Sequence, residues 1–440
     1  MKTKITLFLF VLGTITVRAQ LITATGSMAV ARTSHCSQLL NNGKVLVCGG
    51  NNFNFGNYIV YNSAELYSNG IWTSTGSMLR KREDFTSTLL TNGNVLVMGG
   101  AGQSCEIYNS TSGTWTYTDS LSFIPGWSNS VILNNNKILF VSEGSLITQL
   151  YDQTNNTWSI TGSLNTLLNN SFGLTKLPNG NVLLAGGASY TAQLYNVSLG
   201  TWTTISNQTL EDRTDTKSIL MNNGKVLIVG NNNNSYSESS EVYDPTLNTF
   251  SSLQTIPNDH GLAEMVNLSN GLVLIYGVGD IMGSTDRKSL LKYSPTSNTW
   301  SSAGVVPSSV FSAAEYTVNK IAGGKILYSG GFWTTGNGAN QQCYLVNEAN
   351  ISSGINEISN TIAIDVYPNP NNGQFTIKQE NQKTMNKLEI YNILGEIIYS
   401  TINNKQQATF NIDISNSPQG IYFGKIYDGE IIYTGKIVKQ

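Results

Sequence analysis

Apolar residues in this chain come in short β-branched runs, each introduced by a turn pair and usually followed by glycine. One phrase recurs seven times: NGKVLVCGG from Asn42, NGNVLVMGG from Asn92, NNKILFVSE from Asn135, NGNVLLAGG from Asn179, NGKVLIVGN from Asn223, NGLVLIYGV from Asn270 and GGKILYSGG from Gly323. The steps between copies are 50, 43, 44, 44, 47 and 53 residues. An Asn-Gly pair ahead of an apolar run is a hairpin signal, and a period of this length marks a repeat architecture. A second phrase follows each copy: AELY to Tyr67, CEIY to Tyr108, TQLY to Tyr151, AQLY to Tyr195, SEVY to Tyr243, LLKY to Tyr293 and CYLV to Val346. A third is an aromatic at Trp72, Trp115, Trp158, Trp202, Phe250 and Trp300, five residues after the Tyr in the first unit and seven in the others. Each unit predicts four short strands: one before the turn pair, one after it, one ending at the Tyr and one starting at the aromatic. Such a sheet cannot bury both faces alone, so neighbouring units must stack.

These residues resemble the kelch repeat, the unit of β-propellers such as the central domain of galactose oxidase. The resemblance covers residues 20–347 and implies an all-β fold, a seven-bladed kelch-type β-propeller. The seventh unit has no Trp strand after Val346, whereas LITATGSM at 21–28 copies IWTSTGSM at 71–78. The N-terminal strand is therefore expected to complete the last blade and close the ring, which removes exposed sheet edges.

Beyond residue 347 the rhythm stops. Residues 348–360 read as a linker rich in Ser, Asn and Gly. Short alternating strands broken by Pro-Asn-Pro, Asn-Gly and Asp-Gly then predict a small C-terminal β-sandwich over 361–440. The Tyr-Pro-Asn-Pro opening at 367–370, the Leu-Gly turn at 394–395, the Gly-Ile-Tyr strand at 420–422 and the terminal Lys-Ile-Val stand in order. They look like the type A sorting domain of the type IX secretion system, which implies passage across an outer membrane and the secretion machinery as a partner of residues 361–440.

The other end fits that address. Lys2 and Lys4 precede a mostly apolar run over 5–17 and a small residue, Ala19. This is the layout of a signal peptide over 1–19, and its core is too short to span a bilayer. No later segment is apolar for long enough, so no transmembrane segment is expected, and the protein should be secreted or displayed on the outer cell surface. Charged residues are only 12% of the chain and the net charge is −2. Without a basic run, nucleic-acid binding is not expected. Cys36 and Cys48 lie symmetrically about the hairpin expected at Asn42 and could face each other; Cys105 and Cys343 fall in distant repeats and read as free buried thiols.

Candidate chemistry is sparse. Galactose oxidase chemistry needs a copper held by two His and two Tyr, with a Tyr–Cys cross-link. This chain has only His35 and His260, in units 1 and 6, so no metal and no cofactor are expected. No Gly-x-Ser-x-Gly elbow, phosphate loop or HExxH occurs. Ten residues before each turn pair stand Arg32, Arg82, Pro125, Asn169, Arg213, His260 and Ala313, where the chain enters the first strand of each unit. Kelch proteins use that loop, together with the loop between second and third strands, as a binding face. The arginines could clamp a ligand carboxylate or pair with Glu83, Asp84, Asp212 or Asp215 nearby. The second-to-third strand loops are longest in units 5, 6, 7 and 1, and carry Phe53, Phe55, Tyr58, Tyr236, Phe332 and Trp333. Arg32, Arg213 and His260 are expected beside them on one arc.

Flat aromatics among amides suit a sugar or a protein partner. The expected function is an exported binding propeller for a glycan or protein ligand. The alternative is a propeller enzyme acting on sugars, mutarotase- or lyase-like. A buried cluster of Arg, Glu and His converging at the channel mouth would mark the enzyme.

Overall fold

The computed structural model describes residues 21–54, 57–187, 190, 192–205, 213–232, 238–251, 254–256, 264–277, 289–305, 313–314, 316–333, 338–351, 365–378, 387–392, 396–402, 409–428 and 431–440. The proposed signal peptide lies outside them. The chain divides into two compact units, residues 1–353 and 354–440.

Among the described residues of the first unit, seven antiparallel sheets follow one another along the chain, six of four strands and one of five. Sheets 1 to 7 open with the strands Cys36–Leu39, Thr86–Leu89, Ser128–Ile132, Phe172–Lys176, Arg213–Leu220, Glu264–Asn267 and Thr317–Ile321. Within sheets 1 to 6 the order is sequential; in sheet 7 the fourth place is taken by Ile22–Ala24, which pairs with Cys343–Asn347. Two short pairings stand apart: the hairpin of Asn51–Asn54 with Asn57–Val60, and Ala313–Ala314 with Phe332–Trp333, which flank the first two strands of sheet 7 along the chain.

The turn pairs work as their chemistry requires. The Asn42 side chain accepts from the Lys44 amide at 3.0 Å while Gly43 takes φ 79°, and the same bond recurs at Asn92, Asn135, Asn179, Asn223 and Asn270. The second strand that follows, Val45–Cys48 in sheet 1, is wholly buried, as are its equivalents in sheets 2, 3 and 4. A strand packed on both faces reads as a continuous apolar run. That is why VLVC, VLVM, ILFV and VLLA show no alternation.

Seven apolar cores lie between consecutive sheets. Leu46 and Cys48 pack on Val95 and Tyr108, and Leu96 and Met98 on Ile138 and Tyr151. The series runs on to Leu274 and Leu290 packing on Ile326 and Ile22, and to Leu327 and Cys343 packing on Val45 and Tyr67. Sheet 7 thus packs against sheet 1. The first strands are only half buried, and polar groups tie each to the next. The Thr175 and Ser218 hydroxyls lie 2.6 Å apart, Asn129 Nδ2 donates to Phe172 O at 2.6 Å, and Lys217 Nζ to Glu264 at 2.8 Å. Ser37 accepts from Asn319 across the sheet 1–sheet 7 junction. This is an all-β, propeller-like arrangement whose half-buried first strands line its centre.

The Tyr and Trp of the repeat fasten the periphery. Tyr–Trp ring centroids are 5.0–5.1 Å apart in five sheets. Each Tyr hydroxyl in sheets 1 to 4 meets a Thr of the preceding sheet; Tyr67 meets Thr25, just after the N-terminal strand, at 2.7 Å.

The second unit is a sandwich. Asp365–Tyr367, Gln374–Lys378 and Thr409–Asp413 form one sheet; Lys387–Tyr391, Ile397–Ile402, Gly420–Asp428 and Ile431–Lys439 form the other. Phe375, Ile377 and Ile412 from one sheet pack on Leu388, Ile390, Tyr422 and Ile437 from the other. The Lys439 ammonium donates to the carbonyls of Ile414, Ser415 and Ser417, pinning the chain end to a turn.

Candidate binding face

Two sets of loops meet where the first strands begin. Thr33, ahead of sheet 1, bridges Asn51 in the second-to-third strand loop of the same sheet. In the same way Glu143 N donates to Trp127 O at 2.8 Å and Asn169 N to Gly187 O at 2.8 Å, while Gly331 N of the sheet 7 loop donates to Arg32 O ahead of sheet 1 at 2.9 Å. The glycine doublets make this possible. A Cβ on Gly50 would stand 2.4 Å from Thr33 O, and one on Gly100 2.4 Å from Glu83 O. Both loop types therefore open on one end of the unit.

The arginines are not presented there. Arg32 and Arg82 are 0% exposed and Arg213 is 1% exposed. Each is held by the same set of groups on its own sheet. Arg82 Nη1 donates to Gly99 O at 2.6 Å and Ser104 O at 2.7 Å, and Nη2 to Ser104 Oγ at 3.0 Å and Glu106 Oε1 at 2.9 Å. Arg32 repeats this with Gly49, Ser63 and Glu65, and Arg213 with Gly230, Ser239 and Glu241. The carboxylate comes from the third strand, two residues before the repeat Tyr, rather than from the adjacent Glu83, Asp84 or Asp215 that the sequence suggested; Asp212 falls outside the described residues. Burial of three charges is satisfied inside the sheets, so a ligand-facing role for Arg32, Arg82 and Arg213 is corrected to a structural one.

A sequence signal for this exists. Units 3 and 4 carry Pro125 and Asn169 in place of the Arg, and there the Glu is replaced by Gln149 and Gln193. Gln149 Oε1 still accepts from the Ser122 amide and Gln193 Oε1 from the Asn165 amide, as Glu106 does from Leu79. The amide keeps the backbone bond and drops the charge that has no partner. Both Gln Nε2 atoms are buried without a hydrogen-bond partner where the guanidinium would sit.

Of the aromatic candidates, Phe53 and Tyr58 face each other across the hairpin of unit 1 with ring centroids 6.3 Å apart, and both are about half exposed. Tyr58 OH donates to Glu83, which also accepts from Asn51 Nδ2 at 2.6 Å. The backbones of Phe332 and Trp333 form a short strand with 313–314; their side chains lie outside the description. Phe55, Tyr236 and His260 fall outside the described residues. The expected arc of Arg beside aromatics is not assembled, since its arginines are interior.

The aromatic missed by the sequence reading is Trp127. It stands two residues after Pro125, where units 1, 2 and 5 place Ser34, Asp84 and Asp215, and it is 47% exposed. A cavity of about 170 Å³ opens beside it, lined by Asp84, Phe85, Trp127, Ser128, Asn129, Ser171, Phe172, Thr216 and Lys217. These are equivalent repeat positions of sheets 2, 3, 4 and 5, so the cavity lies at the centre, where the first strands begin. Glu264 holds the Lys217 ammonium above its ordinary range. The Ser128 hydroxyl is buried without a hydrogen-bond partner.

His35 is buried, its Nε2 lies 3.1 Å from Thr317 Oγ1, and burial with the nearby Arg32 charge pushes its pKa down to about 3. All four cysteines are free; Cys36 and Cys48 are cross-strand partners, and burial pushes the Cys36 thiol up to about 12. Among the described residues no three His, Cys, Asp or Glu side chains gather as metal ligands. These residues do not fit a copper centre.

Residues 365–440 match the Secretion system C-terminal sorting domain family. No curated protein matches the chain. Among solved structures, one described as a novel fungal alcohol oxidase with catalytic diversity among the AA5 family, in complex with copper, is similar at 15% identity, covering 95% of this chain and 98% of that chain with a TM-score of 0.58. At that identity the likeness concerns fold alone. No helix among the described residues is long and apolar enough to cross a membrane. The chain thus combines a propeller-like all-β unit with a sorting domain that directs type IX export to the cell surface or the medium.

Proposed function

We propose that this is an exported binding propeller: a seven-bladed, kelch-type ring closed by residues 21–28, preceded by a signal peptide over 1–19 and joined through 348–360 to its sorting domain. It recognises a glycan or protein partner through the loop face described above. The observation that carries this reading is the distribution of groups on that face. The arginines at the openings of sheets 1, 2 and 5 are spent in interior ion pairs, each within its own sheet, while Phe53, Tyr58 and Trp127 are offered to solvent. Half-exposed aromatics ringed by amides and hydroxyls favour recognition over bond-breaking.

The test is retention without turnover. The immobilised mature chain, exposed to a mixture of oligosaccharides and surface proteins from the producing cells, should retain a component and release it with unaltered mass and anomeric form. Release of a changed product would assign the enzyme instead.

A further inference from the structure

The central cavity beside Trp127 has a chemistry of its own. Its four contributing sheets supply equivalent positions, yet the side chains differ in a way that the repeat does not require. Trp127 is the aromatic at a position where the other units carry Ser34, Asp84, Ser171, Asp215, Leu262 and Glu315, and it leaves nearly half of its surface in water. Phe85 and Phe172 are buried and make an apolar floor. Asn129 and Ser171 add amide and hydroxyl groups to the wall. Lys217 is neutralised by Glu264 at 2.8 Å, which leaves Asp84 as the other charged group on the wall.

From these groups we infer that the cavity binds one neutral hexopyranose unit, at the end or on a branch of a surface glycan. The inference rests on the binding-propeller reading and names its ligand. A pyranose ring has one face of C–H groups and an equator of hydroxyls. The Trp127 indole offers the flat apolar surface for the first, and Asp84, Asn129 and Ser171 offer acceptors and donors for the second. The cavity has room for one ring, not for a folded peptide segment. An anionic sugar is disfavoured, because Asp84 faces it and the Lys217 charge is already taken.

Saturation-transfer NMR on the full mature chain decides this, with glucose, galactose, mannose and N-acetylglucosamine as probes and glucuronate as the charged control. At least one neutral hexose should show transfer. Its Kd should rise at least about tenfold in Trp127→Ala, stay within a few-fold in Trp127→Phe, and be unchanged in Leu199→Ala, in the exposed third-to-fourth strand turn at the opposite end of sheet 4. An unaltered unfolding midpoint in Trp127→Ala shows that the loss is local. The inference is overturned if no neutral hexose transfers, if glucuronate is preferred, or if Trp127→Ala binds as the wild type does. In that last case retention of a glycan by the intact protein leaves the binding propeller standing and moves its site elsewhere. Absence of both would remove the glycan arm of that reading as well.

Discussion

The interior ion pairs offer the sharpest test of how the repeats are built, and Arg82–Glu106 is the cleanest of the three. Both side chains are 0% exposed, 2.9 Å apart. Glu106→Gln keeps shape and the acceptor for the Leu79 amide but leaves the Arg82 guanidinium buried without its counter-charge. Removing one partner of such a pair costs about 3–5 kcal/mol. Arg82→Asn should cost a similar amount, because it strands the carboxylate and takes the donor from Gly99 O and Ser104 O. The double variant Arg82→Asn/Glu106→Gln recreates the pairing that unit 4 already uses, Asn169 with Gln193. The two carbonyls and the Gln Nε2 then lack partners, as the Gln193 amide does in unit 4, but no charge is stranded, so the expected loss falls to about 1–3 kcal/mol, well below the sum of the singles. Guanidinium unfolding followed by tryptophan fluorescence measures all three, and the double-mutant cycle should give a coupling of at least about 2 kcal/mol. If each single costs under about 1 kcal/mol and the two simply add, the pair is solvated and this account of the repeat is wrong.

Other consequences follow from single groups. His35 is buried neutral with its pKa near 3, whereas the unfolded chain protonates it near 6.5; stability should therefore hold above pH 6.5 and fall as pH drops toward 3, with about 2 kcal/mol lost by pH 5. Calorimetry of His35→Asn against the wild type between pH 7 and 5 checks it, the variant showing a flatter profile. Ile22 is 3% exposed in the core shared by sheets 6 and 7, so Ile22→Ala should cost about 2–4 kcal/mol by chemical denaturation; a neutral result would mean that the N-terminal strand does not complete the last sheet. Burial holds the Cys36 and Cys343 thiols at about 12 and the Cys105 thiol likewise, so a disulfide reagent at pH 8 should label none of the four cysteines until denaturant is added. Lys439→Met leaves three turn carbonyls without their donor and should lower the unfolding midpoint of the sorting domain and reduce export, read by surface immunolabelling.

The fold was largely legible because its signals are local and repeated. Asn-Gly turns, continuous apolar second strands and the Tyr–Trp spacing each encode one hairpin, and seven copies leave little freedom in how they stack. The matching octapeptides at 21–28 and 71–78 even located the strand that pairs with Cys343–Asn347. The site was less legible because a charge in sequence carries no depth. Arg32, Arg82 and Arg213 sit at loop positions, and proximity along the chain favoured Glu83 or Asp215 as partners. Their true partners lie 33, 24 and 28 residues away on the third strands. Only the joint change of Arg and Glu in units 3 and 4 betrays the pairing. Trp127 escaped notice for the opposite reason: it breaks the repeat at one position, and periodicity conveys what recurs.

The central claim, recognition through the loop face, is met most directly by one glycan-array comparison of the mature chain with a triple variant, Phe53→Ala/Tyr58→Ala/Trp127→Ala, and with Asn92→Ala at the opposite end of the first unit. All three side chains of the triple variant are about half exposed, so the fold should be retained. The account predicts binding by the wild type and by Asn92→Ala, and its loss in the triple variant. Equal binding by the triple variant would contradict it.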